Sequence, residues 1–170
     1  TDLPLTERGE RNARALGKRL AECQFARVFT SPLNRAKQTC ELAGFGDAAQ
    51  VDPELVEWNY GDYEGRTTAD IRRERPDWLL FRDGCPGGES VEQVVSRADR
   101  VVQRLRAVDG DVLVFSSGHF SRVLAARWLG VDATSGKYLY LGTAAVCELG
   151  YDHSLTEPVL RLWNDARHVE

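Results

Sequence analysis

Short apolar runs that lead, within a few residues, into helix-spaced stretches constrain this chain more than any other feature. Residues 25–30 read as a short buried strand, and Ser31-Pro32 then opens a helix to about residue 43. Residues 111–116 (DVLVFS) repeat the arrangement, with an apolar strand between Gly110 and Gly118 and a helix over about 120–129. Strands alternating with helices predict an α/β fold, here three α/β/α layers around a mainly parallel central sheet. Thr6 caps a helix running to about residue 22, whose Ala13, Leu16, Gly17 and Leu20 share one face. The clearest helix starts at Ser90, with Val91, Val94, Val95, Ala98, Val101, Val102 and Leu105 in one stripe. Residues 51–56 read as extended, and 67–75 as a helix stopped by Pro76. Pro86-Gly87-Gly88 reads as a loop, and 144–151 and 158–163 as closing strands. No repeat or linker divides residues 1–170, which are expected to form one domain.

A net charge of -4 gives no reason to expect nucleic acid or an anionic membrane as partner. An anionic ligand would therefore need positive charge concentrated locally. No apolar run has the length of a membrane span and no signal peptide is visible, so the expected compartment is the cytoplasm. Cys23, Cys40, Cys85 and Cys147 form no CxxC pair and have no histidine at zinc spacing, so they read as reduced core residues.

In parallel sheets ligands sit beyond the carboxyl ends of the strands. Two turns occupy that position. FSSGHFSR puts His119 where a strand ends and a helix begins, a place where N–H groups and the helix dipole favour an anion. His119 reads either as an anion ligand or as a capping or core histidine. TSPLNRAKQT puts Arg35 one turn into its helix, as a phosphate-suited fork or as a surface arginine. In ELVEWNYGDYEG, Glu57 stands beside Trp58 and Tyr60, a setting that would raise a carboxyl pKa toward general-acid work. Glu54 and Glu64 compete for that role on composition. CPGGES offers a backbone nest at Gly87 and Gly88 before Ser90.

TDLPLTERG, TSPLNRAKQT, EWNYGDYEG, PGGES and the GH of SSGHFSR resemble, in order, the motifs of the histidine phosphatase superfamily. The resemblance covers residues 1 to about 129 and looks nearest to the branch of sedoheptulose-bisphosphatase-like enzymes and small bacterial acid phosphatases. It implies a phosphoglycerate-mutase-like fold and hydrolysis of small phosphorylated metabolites, sugar phosphates among them, through a phosphohistidine. Arg35 and His119 would hold the phosphoryl oxygens, and Glu57 would protonate the leaving oxygen and later activate water. Ser90, Gly87 and Gly88 would face the rest of the substrate, with Tyr60, Gly118, Phe120 and Arg122 as further contacts. Phe120 would narrow the pocket; Arg122 would reach substrate or pair with an acidic neighbour. No cofactor or metal is implied, because cationic side chains do that work.

The family's nucleophile sits in an Arg-His-Gly motif on a first, central strand, upstream of the TDLPLT motif with which this sequence starts. The resemblance thus places the nucleophile outside residues 1–170; His153 and His168 stand in unrelated contexts. Two rivals follow: a phosphoglycerate mutase, disfavoured by the short span from Glu57 to Gly87, and a phosphate-binding domain without turnover. A homodimer would draw its apolar surface from Trp128, Trp163 and Tyr138-Leu139-Tyr140, although such aromatics are more often core.

Overall fold

A computed structural model describes residues 2–169. Helix α1 (Glu7–Leu20) begins at Thr6, whose side chain accepts from the Gly9 N–H, and ends with Lys18 and Arg19 in its last turn. Both ends suit the helix dipole. Its buried face of Ala13, Leu16 and Leu20 leads to strand β1 (Arg27–Thr30) and helix α2 (Asn34–Leu42). Strand β2 (Ala49–Val51) follows.

The stretch expected to be extended over 51–56 is strand only at its start. Asp52 accepts from the Glu54 N–H and Pro53 has no N–H to offer a ladder, so residues Pro53–Leu55 tighten into a 3-10 turn. Helix α3 (Thr68–Glu74) carries a reciprocal cap between Thr67 and Asp70 and stops before Pro76 as expected. The short helix α4 (Leu80–Asp83) has no counterpart in the sequence reading.

Helix α5 (Val91–Arg106) starts at Ser90, whose hydroxyl accepts from the Gln93 N–H while the Gln93 side chain answers to the Ser90 N–H. Replacing Ser90 by Ala is expected to lower stability by about 1 kcal/mol in urea unfolding, with no change in slope. Strand β3 (Val112–Phe115) and helix α6 (Gly118–Trp128) follow, and the hairpin β4 (Val146–Tyr151) and β5 (Pro158–Asp165) closes the chain.

The parallel sheet has the order β2-β1-β3, and β4-β5 form a separate antiparallel pair. Side-chain alternation divides the core between the two faces of the parallel sheet. Val28, Leu113 and Phe115 pack with Leu16, Leu20 and Ala36 of α1 and α2. Phe29 and Val114 pack with Val94, Val101, Phe120 and Val123 of α5 and α6. Helices therefore cover both faces, as expected of three layers. Trp128 is buried in the second cluster, while Tyr138 and Tyr140 are exposed.

Register positions the site. Thr30 of β1 stands opposite Phe115 of β3, and the Ser31 N–H bonds the Phe115 carbonyl at 2.9 Å. Asp52 N–H bonds the Thr30 carbonyl at 2.9 Å, and Ser116 Oγ donates to the Leu55 carbonyl at 2.7 Å. The three strand ends thus deliver their loops side by side.

Candidate active site

At these strand ends Glu57, Tyr60 and His119 meet. The anion at the N-terminus of α6 is the protein's own: Glu57 Oε1 accepts from the Phe120 N–H at 2.8 Å, and Oε2 from the His119 N–H at 3.2 Å. Oε1 also accepts from the Trp58 N–H at 2.9 Å. The sequence alone predicts an anionic ligand at those helix N–H groups. They are instead spent on Glu57, which caps the helix because Ser117, the N-cap residue, makes no side-chain capping bond.

Tyr60 Oη lies 2.6 Å from His119 Nδ1, with the two rings edge to face at 5.8 Å. Burial, with the Glu57 charge adding to it, pushes the Tyr60 phenol far above its ordinary value, so it stays a neutral donor. Burial also pushes His119 below its ordinary value; the Glu57 charge opposes this and Arg122 reinforces it. The Tyr60 phenol also has a hydrogen bond with the Glu57 carboxylate, so its proton has two acceptors within reach, Glu57 and His119 Nδ1. Glu57 Oε2 stands 4.0 Å from His119 Nδ1.

The depressed His119 has a stability consequence. The unfolded chain takes up a proton near 6.5 that the folded chain resists, so His119 costs stability progressively as pH falls below 6.5 and costs nothing above it. A urea midpoint measured across this range is expected to fall less steeply for His119→Asn than for the parent. Parallel profiles would contradict the assignment.

Phe120 reaches the site only through its N–H. Its ring is fully buried beneath the Arg97 guanidinium, 4.3 Å from the ring centre, so it packs the core and does not narrow a pocket. Gly118 starts α6 at the edge of the site. Arg122, one turn on, lies over the Phe81 ring at 4.6 Å, and its Nε and Nη2 donate to the carbonyls of Gly136 and Lys137.

Gly87 holds a φ of +68°, and Gly88 and Gly61 are needed for close backbone approach. A Cβ on Gly88 would lie 2.2 Å from the Asn59 carbonyl oxygen, and one on Gly61 would lie 2.2 Å from Gly88 N. The Gly88 N–H is bonded to the Cys85 carbonyl, so that N–H closes a turn and does not contribute to an open nest. Ser90 Oγ is occupied as the α5 cap and donates to Glu92 at 2.7 Å. Arg35 lies exposed in the first turn of α2, on the loop that leaves β1.

Of the competing carboxylates, Glu54 is tied to Arg100 at 2.6 Å and Arg104 at 2.5 Å. Burial pushes Glu54 up, and its bonds to Arg104 and Arg100 outweigh that and hold it below the usual range. Two residues that the sequence reading passed over support the site. Buried Arg97 donates to the carbonyls of Glu54, Val56 and Glu57 and to both oxygens of Glu89. Phe81 stands between the His119 ring and Arg122. Arg97 had a signal: three residues after Val94, it borders the buried stripe of α5.

Asp152, His153 and Glu157, all exposed at the β4–β5 turn, place three ligand atoms within 4.8 Å of one another, the one such grouping among the described residues. It involves none of the residues around Glu57. Among the described residues no helix is long and apolar enough to cross a membrane.

The model of the histidine phosphatase superfamily (branch 1) matches residues 1–166. An acid phosphatase of Mycobacterium tuberculosis is 38% identical over 161 residues, covering 92% of this chain and 79% of its own. The sedoheptulose 1,7-bisphosphatase of Saccharomyces cerevisiae is 35% identical over 164 residues, covering 77% of this chain and 60% of its own. A solved Mycobacterium tuberculosis structure superposes with a TM-score of 0.91 at 38% identity, over 97% of this chain and 86% of that one. A carboxylate and a histidine brought together at the ends of parallel strands agree with these matches, and the chain belongs to the histidine phosphatase superfamily, branch 1.

Proposed function

We propose that this phosphatase hydrolyses monoesters of small phosphorylated metabolites, sugar phosphates among them, through a phosphohistidine. The nucleophile is assigned to an Arg-His-Gly strand preceding Thr1. In the first step its imidazole nitrogen bonds phosphorus as the ester P–O bond breaks, and Glu57 gives its proton to the departing alkoxide. In the second, Glu57 takes a proton from water, whose oxygen bonds phosphorus and releases the histidine and inorganic phosphate. Arg35 and the Nε2–H of His119 stabilise the charge on the phosphoryl oxygens.

The observation that carries this reading is the pairing of acid and phosphoryl ligand at one helix start. Oε1 of Glu57 accepts two short N–H bonds and Oε2 one long one, which makes Oε2 the better placed to carry the transferable proton. The assignment of the nucleophile to a preceding strand is supported by the edges of the two sheets. Among the described residues β3 pairs only with β1 and β4 only with β5. Yet Val146 of β4 packs on the α1–α2 cluster, and Leu149 and Tyr151 on the α5–α6 cluster. A strand entering between β3 and β4 would pair both edges and carry its histidine to the same end as Glu57.

The test is to quench the N-terminally extended chain during turnover of a 32P-labelled monoester. Protein-bound label that survives alkali and is lost in acid is the expected result. Turnover with label that survives acid, or with no label, would overturn the phosphohistidine.

A further inference from the structure

The Tyr60 phenol stands between the two groups that the proposed reaction uses. Its Oη lies 2.6 Å from His119 Nδ1 and also hydrogen-bonds the Glu57 carboxylate, whose Oε2 is 4.0 Å from the same nitrogen. The backbone that carries the phenol is held. The Tyr60 carbonyl accepts from the Tyr63 N–H at 2.9 Å, the Asp62 N–H bonds the Pro86 carbonyl at 2.8 Å, and Gly61 packs against Gly88. The imidazole is held too. It meets the Tyr60 ring edge to face at 5.8 Å and the Phe81 ring at 5.7 Å, and Glu57 takes its backbone N–H. With both rings fixed, what remains free to rotate is the hydroxyl.

Burial keeps the phenol protonated, so it has one proton to give and two acceptors for it. The choice is felt on the far side of the ring. A neutral imidazole carries one N–H, on Nδ1 or on Nε2. If the phenol donates to Nδ1, the ring proton is on Nε2, where it can meet a phosphoryl oxygen. If the phenol donates to Glu57, Oη is left to accept, and the Nδ1–H form satisfies it with Nε2 bare. Charge decides between them. A hydrogen bond to a carboxylate is roughly twice as strong as one between neutral groups, so ionised Glu57 draws the phenol and protonated Glu57 releases it. Arg122, the other charge acting on the ring, is anchored to the carbonyls of Gly136 and Lys137 and carries the same charge in both cases.

We propose that Tyr60 is a positioning residue that makes the tautomer of His119 follow the proton of Glu57. With Glu57 protonated, the phenol donates to Nδ1 and His119 presents Nε2–H. With Glu57 ionised, the phenol turns to the carboxylate and the ring proton moves to Nδ1. Between the two, one N–H bond breaks at Nε2 as one forms at Nδ1, with water at the partly exposed ring carrying the proton. The phenol keeps its own proton throughout. The site thus grips a phosphoryl oxygen in the form whose acid is loaded. This rests on the phosphatase reading above and assigns to one hydroxyl the coupling of its acid to its phosphoryl ligand.

The test reads the tautomer directly. Long-range 15N–1H correlation spectra of the N-terminally extended chain, labelled at the histidine nitrogens, separate a bare ring nitrogen from a protonated one. The signals lost in His119→Asn identify His119. At about pH 8, where the depressed His119 is neutral, Glu57→Gln is expected to shift its ratio of Nε2–H to Nδ1–H at least about tenfold toward Nε2–H. In a Tyr60→Phe chain the same Glu57→Gln change is expected to shift the ratio less than about threefold, since only the direct influence of Glu57 across 4.0 Å is left. Tyr60→Phe alone is expected to lower kcat/KM about tenfold on p-nitrophenyl phosphate and on an alkyl phosphate alike, the mark of an impaired phosphoryl ligand. An unchanged ratio in Glu57→Gln, an equal shift with and without the phenol, or a loss confined to the alkyl phosphate would overturn the coupling. The first of these outcomes needs no Tyr60 variant. The full tautomer shift in an extended chain that hydrolyses no phosphomonoester would instead defeat the phosphatase reading alone.

Discussion

Glu57→Gln is expected to lower kcat/KM for an alkyl sugar phosphate by about 100- to 1000-fold, and for p-nitrophenyl phosphate far less. The amide oxygen can still accept at the α6 N-terminus, where Phe120 N–H bonds Oε1 at 2.8 Å, so the helix start keeps most of its cap. What the amide lacks is a proton to give. An alkoxide needs that proton to leave, whereas nitrophenolate departs without it. Equal loss on both substrates would remove Glu57 as the acid and leave it as a cap.

Arg97→Met is expected to be the most destabilising single change near the site, by about 3–5 kcal/mol, equivalent to a fall of about 10 °C in Tm. The guanidinium lies almost wholly buried over the Phe120 ring, with Nε and Nη2 on the two Glu89 oxygens at 2.9 and 2.7 Å. Its Nη1 donates to the carbonyls of Glu54 and Val56, both at 2.7 Å. Methionine fills the volume but strands the Glu89 charge and frees the loop that carries Glu57. Restoring neutrality with Glu89→Gln in the same chain is expected to recover part of the loss. Thermal unfolding of the single and double variants checks both statements, and a single-variant shift under about 2 °C would show that Arg97 does not pin this loop.

These two residues mark where the sequence is informative and where it is not. Helix periodicity and caps are local, so α1, α5 and their starts at Thr6 and Ser90 could be read directly, as could the strand before His119. The two-layer cover of the sheet followed from alternation. Proximity across the fold was not legible. Glu57 and Phe120 are 63 residues apart, and nothing in either segment says that a carboxylate from one will cap the helix of the other. The same holds for Arg122, whose guanidinium is held by the carbonyls of Gly136 and Lys137, 14 and 15 residues further on. Glycines in CPGGES suggested a nest, but their cause is steric: the loop of Asn59 to Gly61 passes too close to Gly88 for any side chain.

The most direct test compares p-nitrophenyl phosphate hydrolysis by the 170-residue chain and by the same chain extended upstream through an Arg-His-Gly segment, without added metal. Hydrolysis by the extended chain, lost when the added histidine becomes alanine and negligible in the shorter chain, is the predicted result. Equal hydrolysis by both would mean that a residue within Thr1–Glu170 attacks phosphorus, and the assignment of the nucleophile would fall.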